Sequence, residues 1–302
     1  MKDRAMYPSF LEKLREKTII FDGAMGTMLM AAGQDPVKTP ILLNIDQPEL
    51  VTDIHHNYYA AGADVVITNT FGGNPIKLAA DGLEEQMVHL NRQAVKLSRK
   101  ACPADGFVAG DIGPCGKMLK PLGDISQEEM AENFFLQAGV LIEAGVDLIT
   151  IETMYSLEEA LAAVQGVKKA GDILLLASIT FTKTKNGFFT MMGENISQCA
   201  SALVDAGVDM IGANCTLNSA DMIDLTKELR ASTDTPVLIQ PNAGKPVTRK
   251  GVTFYGQTPQ EFAADALKIR EAGADMLGGC CGTSPEFIEA VTAALADTQS
   301  VN

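Results

Sequence analysis

Glu143-Ala-Gly-Val-Asp-Leu-Ile-Thr150 decides how this chain is read, because the same phrase returns three more times: Ala60-Ala-Gly-Ala-Asp-Val-Val-Ile67, Asp205-Ala-Gly-Val-Asp-Met-Ile-Gly212 and Glu271-Ala-Gly-Ala-Asp-Met-Leu-Gly278. Each holds the end of a helix, a glycine at the stop and the start of an apolar strand. Glycine suits that stop, since helices often end on a left-handed residue. A phrase that recurs along a chain marks helix–strand units in series.

Outward from these four phrases, eight strands are expected: Thr18–Asp22, Val65–Phe71, Phe107–Ile112, Leu148–Thr153, Leu174–Thr180, Met210–Thr216, Val237–Pro241 and Met276–Cys281. Most are near-continuous apolar runs, the pattern of parallel strands buried on both faces. Helical stretches lie between them, among them Glu84–Ala101, Gln127–Ala144 and Pro259–Ala272, with Ser126 and Thr258 as N-caps. Ala31–Gln47 and Gly113–Asp124 read as long loops. Eight βα units in 302 residues predict an α/β protein, a (β/α)8 TIM barrel forming a single domain over residues 1–302, with an N-terminal extension at 1–17 and a polar tail at 297–302. A doubly wound sheet is the alternative. It would more often carry a Gly-rich phosphate loop after its first strand, and Asp22-Gly-Ala-Met-Gly-Thr27 lacks that spacing.

The composition, 46% hydrophobic and 21% charged, is ordinary for a globular enzyme. The net charge of −14 comes with no basic block, which argues against nucleic acid as a partner. No run approaches the ~20 apolar residues of a membrane span, and Met1–Lys17 lacks the apolar centre of a signal peptide. A cytoplasmic location is expected. Six cysteines are too few for a disulfide scaffold, and in a reducing compartment clustered cysteines point to metal or catalysis.

Three of the six are clustered. Cys215 closes Met210-Ile-Gly-Ala-Asn-Cys215, and Cys280 and Cys281 lie in Met276-Leu-Gly-Gly-Cys-Cys-Gly-Thr283. The repeat places them at adjacent ends of strands six and eight. Three thiolates with a fourth position open describe a catalytic zinc site better than a structural one. Buried core thiols, or a Cys280–Cys281 disulfide, are the competing readings. Cys102, Cys115 and Cys199 have no clustered partner and read as small buried hydrophobes.

Catalytic groups of such barrels come from the C-terminal strand ends. Here those ends carry Asp22 and Gly23, Asn69, Asp111, Glu152, Asn214, Gln240 and Asn242. Asp111 is expected to brace a loop, and Asp22 and Glu152 to act on a substrate. Zinc held by three thiolates carries net negative charge and suits a fourth thiol better than a hydroxide. An alkyl thiol has a pKa of ~8.5, coordination deprotonates it, and the sulfur stays nucleophilic. The expected chemistry is thiol alkylation, with Asp22 and Glu152 holding the ammonium of an amino-acid thiol and Gly23 letting a backbone N–H reach its carboxylate.

These residues resemble the homocysteine S-methyltransferases along nearly the whole chain: Phe21-Asp-Gly-Ala-Met-Gly-Thr27, Thr68-Asn-Thr-Phe-Gly-Gly-Asn74, Gly110-Asp-Ile-Gly-Pro114, Glu152-Thr153, Gly212-Ala-Asn-Cys215, Gln240-Pro-Asn-Ala-Gly-Lys245 and Gly278-Gly-Cys-Cys-Gly-Thr283. The pattern is most similar to the homocysteine-binding barrel of cobalamin-dependent methionine synthases. The resemblance implies Zn2+ on Cys215, Cys280 and Cys281, homocysteine activated as a zinc-bound thiolate and methylated to methionine, and Asp22 and Glu152 on its amino group. It also implies that Asn242 takes the fourth zinc position when substrate is absent.

For the methyl donor the resemblance implies methylcobalamin on a separate corrinoid protein or module. Asp-x-His-x-x-Gly, the lower-ligand motif for cobalamin, is missing, and the histidines are His55, His56 and His89. Betaine is disfavoured: a quaternary ammonium calls for an aromatic cage, the chain has no Trp and five Tyr, and Gly72 stands where the betaine branch has Tyr. S-methylmethionine is the other donor considered. A free-standing enzyme and a piece of a larger methionine synthase both fit a chain ending at Asn302. A structural-zinc barrel or a docking barrel without turnover is the non-enzymatic alternative.

Overall fold

The computed structural model describes residues 7–35, 39–249 and 252–299. Eight parallel strands form the barrel: β1 (Ile19–Ile20), β2 (Val65–Ile67), β3 (Phe107–Ile112), β4 (Leu148–Met154), β5 (Leu174–Ile179), β6 (Met210–Asn218), β7 (Val237–Asn242) and β8 (Met276–Leu277). Each pairs with its neighbours in chain order, and β8 returns to β1. The ring closes between β1 and β2 through a parallel Phe21–Val65 bridge and the Asp22 N–H to Val65 carbonyl bond of 2.9 Å. This is the (β/α)8 architecture that the repeats predict.

The repeated phrase has a second function that its glycine does not reveal. Gly62, Gly145, Gly207 and Gly273 stop their helices at φ of 97°, 96°, 82° and 110°, a backbone region open to glycine and costly for other residues. Two residues on, the aspartate of each phrase accepts the N–H of the first or second residue of the preceding strand: Ile20 to Asp64 at 3.0 Å, Val108 to Asp147 at 2.7 Å, Leu175 to Asp209 at 2.9 Å and Val237 to Asp275 at 2.8 Å. One phrase therefore ends a helix and stitches the strand it opens to its neighbour at the bottom of the barrel.

The bottom is plugged by the helix Tyr7–Glu16, part of what reads as an extension. Phe10 is buried and meets Phe107 edge-on at 5.2 Å, while Lys13 and Lys17 pair with Asp64 at 2.9 and 2.8 Å. Inside the barrel the lower positions are apolar, with Ile19, Val65, Leu148, Leu176, Met210 and Leu238 among them. Outside, the helices bury the other strand faces in a second, larger core.

Several boundaries differ from expectation. β2 is regular only to Ile67 and β8 only to Leu277, although backbone bonds to the neighbouring strands continue past both ends, from Thr68 N–H to the Ala109 carbonyl (2.9 Å) and from Gly278 N–H to the Ile239 carbonyl (3.1 Å); β6 runs on to Asn218. The stretch Ala31–Gln47 is helical in its second half, with a 3-10 turn at Pro40–Leu42 and a helix at Leu43–Asp46; its residues 36–38 lie outside the described residues. The last helix runs to Gln299, taking in the first part of the expected tail, and residues 300–302 lie outside the described ones. Ser126 and Thr258 cap their helices as expected, each in a reciprocal capping box with the glutamate three residues on. Among the described residues no helix is long and apolar enough to cross a membrane.

Candidate functional site

The three clustered thiols meet at the C-terminal end of the barrel. On β6 the backbone turns left-handed at Cys215 (φ 62°) and Thr216 (φ 53°), and the pairing with β7 slips between Asn214 and Asn218. Such a backbone costs a non-glycine residue about 1–3 kcal/mol, and here it swings the Cys215 side chain over the mouth. Cys280 and Cys281 lie in the turn after β8. That turn is tied to β7 by bonds from Cys280 N–H to the Pro241 carbonyl (2.8 Å) and from Ala243 N–H to the Cys281 carbonyl (2.9 Å). Thr283 braces it from within through its hydroxyl on the Cys280 carbonyl at 2.7 Å. The expectation of adjacent strand ends needs correction: β7 lies between β6 and β8, and the thiols meet across its end because both flanking segments bend inward.

The Cys215 and Cys281 sulfurs lie 3.9 Å apart, those of Cys280 and Cys281 4.0 Å apart, and all three fall within 4.8 Å of one another. Two sulfurs each ~2.3 Å from one ion at the tetrahedral angle would be about 3.8 Å apart. The spacing therefore fits a common metal and is too wide for a disulfide, whose sulfurs are ~2.05 Å apart; all six cysteines are free. Hydrogen bonds from Cys215 and then Cys280 lower the Cys281 thiol to about 3. Cys280 is raised by its bonds to Cys215 and Cys281. In Cys215 the bond with Cys280 lowers the pKa, but the bond with Cys281 and burial outweigh it, leaving about 11.

Three carboxyl groups share the same end of the barrel. Asp22 is buried; its Oδ2 accepts the Ile67 N–H at 2.9 Å, and its Oδ1 has no partner among the described residues. Burial first, then the charge of Glu152, raises its pKa against the Ile67 bond. Glu152 is raised to about 7 by burial and by the charge on Cys281. Asp111 is buried with Oδ1 unpartnered, and burial, Glu152 and Asp22 raise it. Thr68, Thr70 and Gln137 side chains hold the Asp111 backbone, and its carboxyl, expected as a brace, bonds the Ile112 backbone and also feels the charges of Glu152 and Asp22. An unpaired buried acceptor is costly, so this group of acceptors is suited to a cationic, donor-rich ligand.

Gly23 follows Asp22 where no side chain fits: a Cβ there would stand 2.6 Å from Thr283 Oγ1 and 3.0 Å from the Tyr58 hydroxyl. Asn242 is buried at the end of β7, one residue from each bond that ties down the cysteine turn, and its Oδ1 has no partner among the described residues. The structure thus brings Cys215, Cys280, Cys281, Asp22, Gly23, Glu152 and Asn242 to one end of one barrel. Cys115 and Cys199 are buried away from it, with thiols raised to about 12, first by burial.

Sequence reasoning missed two tyrosines. Tyr255 ends the hairpin Pro246–Arg249/Val252–Tyr255, and its ring occupies the space a Cβ on Gly282 would need. Its hydroxyl is raised by burial and by Cys281, and that of Tyr155 by burial and by Cys215. A tyrosine at or just past the end of a strand gives no periodic signal. Only the fold puts Tyr255 against Gly282.

The homocysteine S-methyltransferase family model matches residues 19–295. The chain belongs to the homocysteine S-methyltransferase family. It is 33% identical to the methionine synthase of Mycobacterium tuberculosis across 98% of this chain and 26% of that protein, and 32% identical to that of Mycobacterium leprae across 95% and 25%. The chain thus spans about a quarter of the length of the curated relatives it matches. Among solved structures, the metallated form of the homocysteine methyltransferase MmuM from Escherichia coli superposes with a TM-score of 0.79 at 26% identity, over 94% of this chain and 99% of that one.

Proposed function

We propose that this barrel methylates homocysteine to methionine with the help of a zinc ion held by Cys215, Cys280 and Cys281. One observation carries the reading: three free thiols within 4.8 Å of one another, beside buried carboxyl groups whose oxygens lack partners. Zinc bound by those thiolates would keep a further thiol deprotonated at neutral pH. Asn242, whose buried Oδ1 has no partner among the described residues, would supply the remaining ligand when no substrate is bound.

The chain's own residues do the rest. Asp22 Oδ1 and the Glu152 carboxylate accept hydrogen bonds from the substrate ammonium and fix which end of the molecule lies deepest. Gly23, packed without a side chain against Thr283 and Tyr58, lets a backbone N–H reach the substrate carboxylate. Held at both ends, the substrate has its sulfur at the thiol cluster, its lone pair free toward the open mouth. Sulfur forms the new S–CH3 bond with that pair, and the donor's bond to the methyl breaks, leaving its electrons on the donor.

The donor we favour is methylcobalamin on a corrinoid protein or module. The methionine synthase relatives support it, and so does the mouth, whose loops expose Phe71, Met118, Leu122, Tyr155, Met191 and Met192. A small sulfonium such as S-methylmethionine is the second reading. Unpaired cysteines favour a reducing compartment such as the cytoplasm. The test is homocysteine methylation with methylcobalamin, S-methylmethionine and betaine in parallel on zinc-loaded protein. Turnover with methylcobalamin supports the reading. No turnover with any donor, free or on a corrinoid protein, would leave a docking or structural barrel.

A further inference from the structure

Asn214 occupies an unusual place between the two halves of this site. It is 1% exposed, sits on β6 immediately before Cys215, and reaches with its side chain past its neighbour β5 to β4. Its Oδ1 accepts the Thr153 N–H at 2.9 Å and the Ser178 hydroxyl at 3.1 Å. Its Nδ2 donates to Thr153 Oγ1 at 2.7 Å and reaches Glu152 Oε2 at 3.4 Å. Its own carbonyl accepts the Thr180 hydroxyl at 3.0 Å. One amide thus ties together the ends of β4, β5 and β6.

What it ties is notable. Thr153 (φ 58°) and Cys215 (φ 62°) are both left-handed, and both β4 and β6 lose their regular pairing at these residues. Left alone, a β-branched residue such as Thr153 relaxes out of that region. Asn214 is bonded to both the N–H and the hydroxyl of Thr153, which fixes the direction in which Glu152 leaves β4. The same residue's backbone, anchored by Thr180, fixes where Cys215 leaves β6. We infer that Asn214 is a positioning residue that sets the spacing between the ammonium-binding carboxylate of Glu152 and the thiol cluster, and so selects an amino-acid thiol of one chain length. This rests on the proposed homocysteine reading.

The experiment compares wild type, Asn214→Ala and Asn214→Asp, each alone and combined with Glu152→Gln. Asn214→Asp keeps the volume and the Oδ1 acceptor but loses both donors, so it decides the matter if Asn214→Ala does not fold. Zinc loss is followed with a chromophoric chelator, and KM and kcat are measured for homocysteine and for cysteine, which is one methylene shorter. Groups that orient metal ligands from behind typically change metal affinity or activity by about 10–100-fold. The expected result is a rise of that order in homocysteine KM and in the rate of zinc loss, a narrower preference for homocysteine over cysteine, and a KM effect that vanishes in the Glu152→Gln background.

Unchanged zinc loss and an unchanged homocysteine preference would overturn the inference. So would a KM effect that persists in full without Glu152, which would mean a general packing role. If wild type itself takes up neither zinc nor homocysteine, the functional reading falls first and this inference with it.

Discussion

Cys215 Sγ and Cys281 Sγ lie 3.9 Å apart although 66 residues separate them in the chain. The spacing is created by two inward bends on either side of β7: the left-handed backbone at Cys215, and the Gly-Gly-Cys-Cys turn pinned to the Pro241 carbonyl. Neither bend is needed to build a barrel, and both place sulfur at its mouth. Cys280→Ala is therefore expected to abolish zinc uptake and methyl transfer together while leaving the far-ultraviolet circular dichroism spectrum unchanged. Zinc content by elemental analysis checks it; full zinc and full turnover in the variant would contradict it.

Asp22 Oδ1 is buried without a partner among the described residues, and the proposed reaction assigns it to the substrate ammonium. A hydrogen bond to a charged group contributes about 1.5–3 kcal/mol. Asp22→Asn, which removes the charge and keeps the shape, is expected to raise homocysteine KM by roughly ten- to a hundredfold. Steady-state kinetics with the donor saturating measures it.

Burial raises Glu152 to about 7. The folded protein therefore holds a proton on Glu152 between its unfolded value, ~4.3, and about 7, where the unfolded chain has released it. Stability from this group is fully present below the unfolded value and is lost as pH rises through about 7. Glu152→Gln should match wild type in melting temperature near pH 4 and exceed it near pH 8, in metal-free protein. A melting-temperature series across that range tests it; equal pH profiles for the two proteins would contradict it.

Much of the fold was legible because it depends on local, repeated chemistry. The four Ala-Gly-(Ala/Val)-Asp phrases mark helix stops by glycine, and the apolar runs that follow mark buried strands. The thiols were legible for a different reason: Cys215 and the Cys280–Cys281 pair each end such a run. Asn214 was visible only as one more polar strand end, since its partners Thr153 and Ser178 come from β4 and β5, and no spacing in the chain announces a bond across a barrel. Asp111 was legible as a polar strand end, but its grouping with Asp22 and Glu152 was not, since the three come from different strands. The helical character of Leu43–Asp46 was hidden by its shortness, four residues being too few to show a period.

The bond from Leu175 N–H to Asp209 Oδ2, 2.9 Å long, represents the four strand-stitching contacts. Asp209→Ala leaves that buried donor unpaired, at a cost of about 1–3 kcal/mol. Urea unfolding should show that loss with the homocysteine KM unchanged, because the bond lies at the end of the barrel opposite the thiols.

Gly23→Ala is expected to weaken substrate binding by displacing its neighbours, since the new methyl would stand 2.6 Å from Thr283 Oγ1, the hydroxyl that braces the cysteine turn. The Ala24 N–H to Thr283 bond, 3.1 Å, would be strained at the same time. Loss of both zinc affinity and homocysteine affinity in one variant, by chelator competition and kinetics, is the expected signature.

The central claim is that three thiolates hold the metal and leave one position for the substrate's sulfur. X-ray absorption at the zinc edge, on zinc-loaded protein with and without homocysteine, measures this directly. Three sulfur neighbours and one lighter atom without homocysteine, becoming four sulfurs with it, is the predicted result. A coordination shell that does not change when homocysteine is added would contradict it.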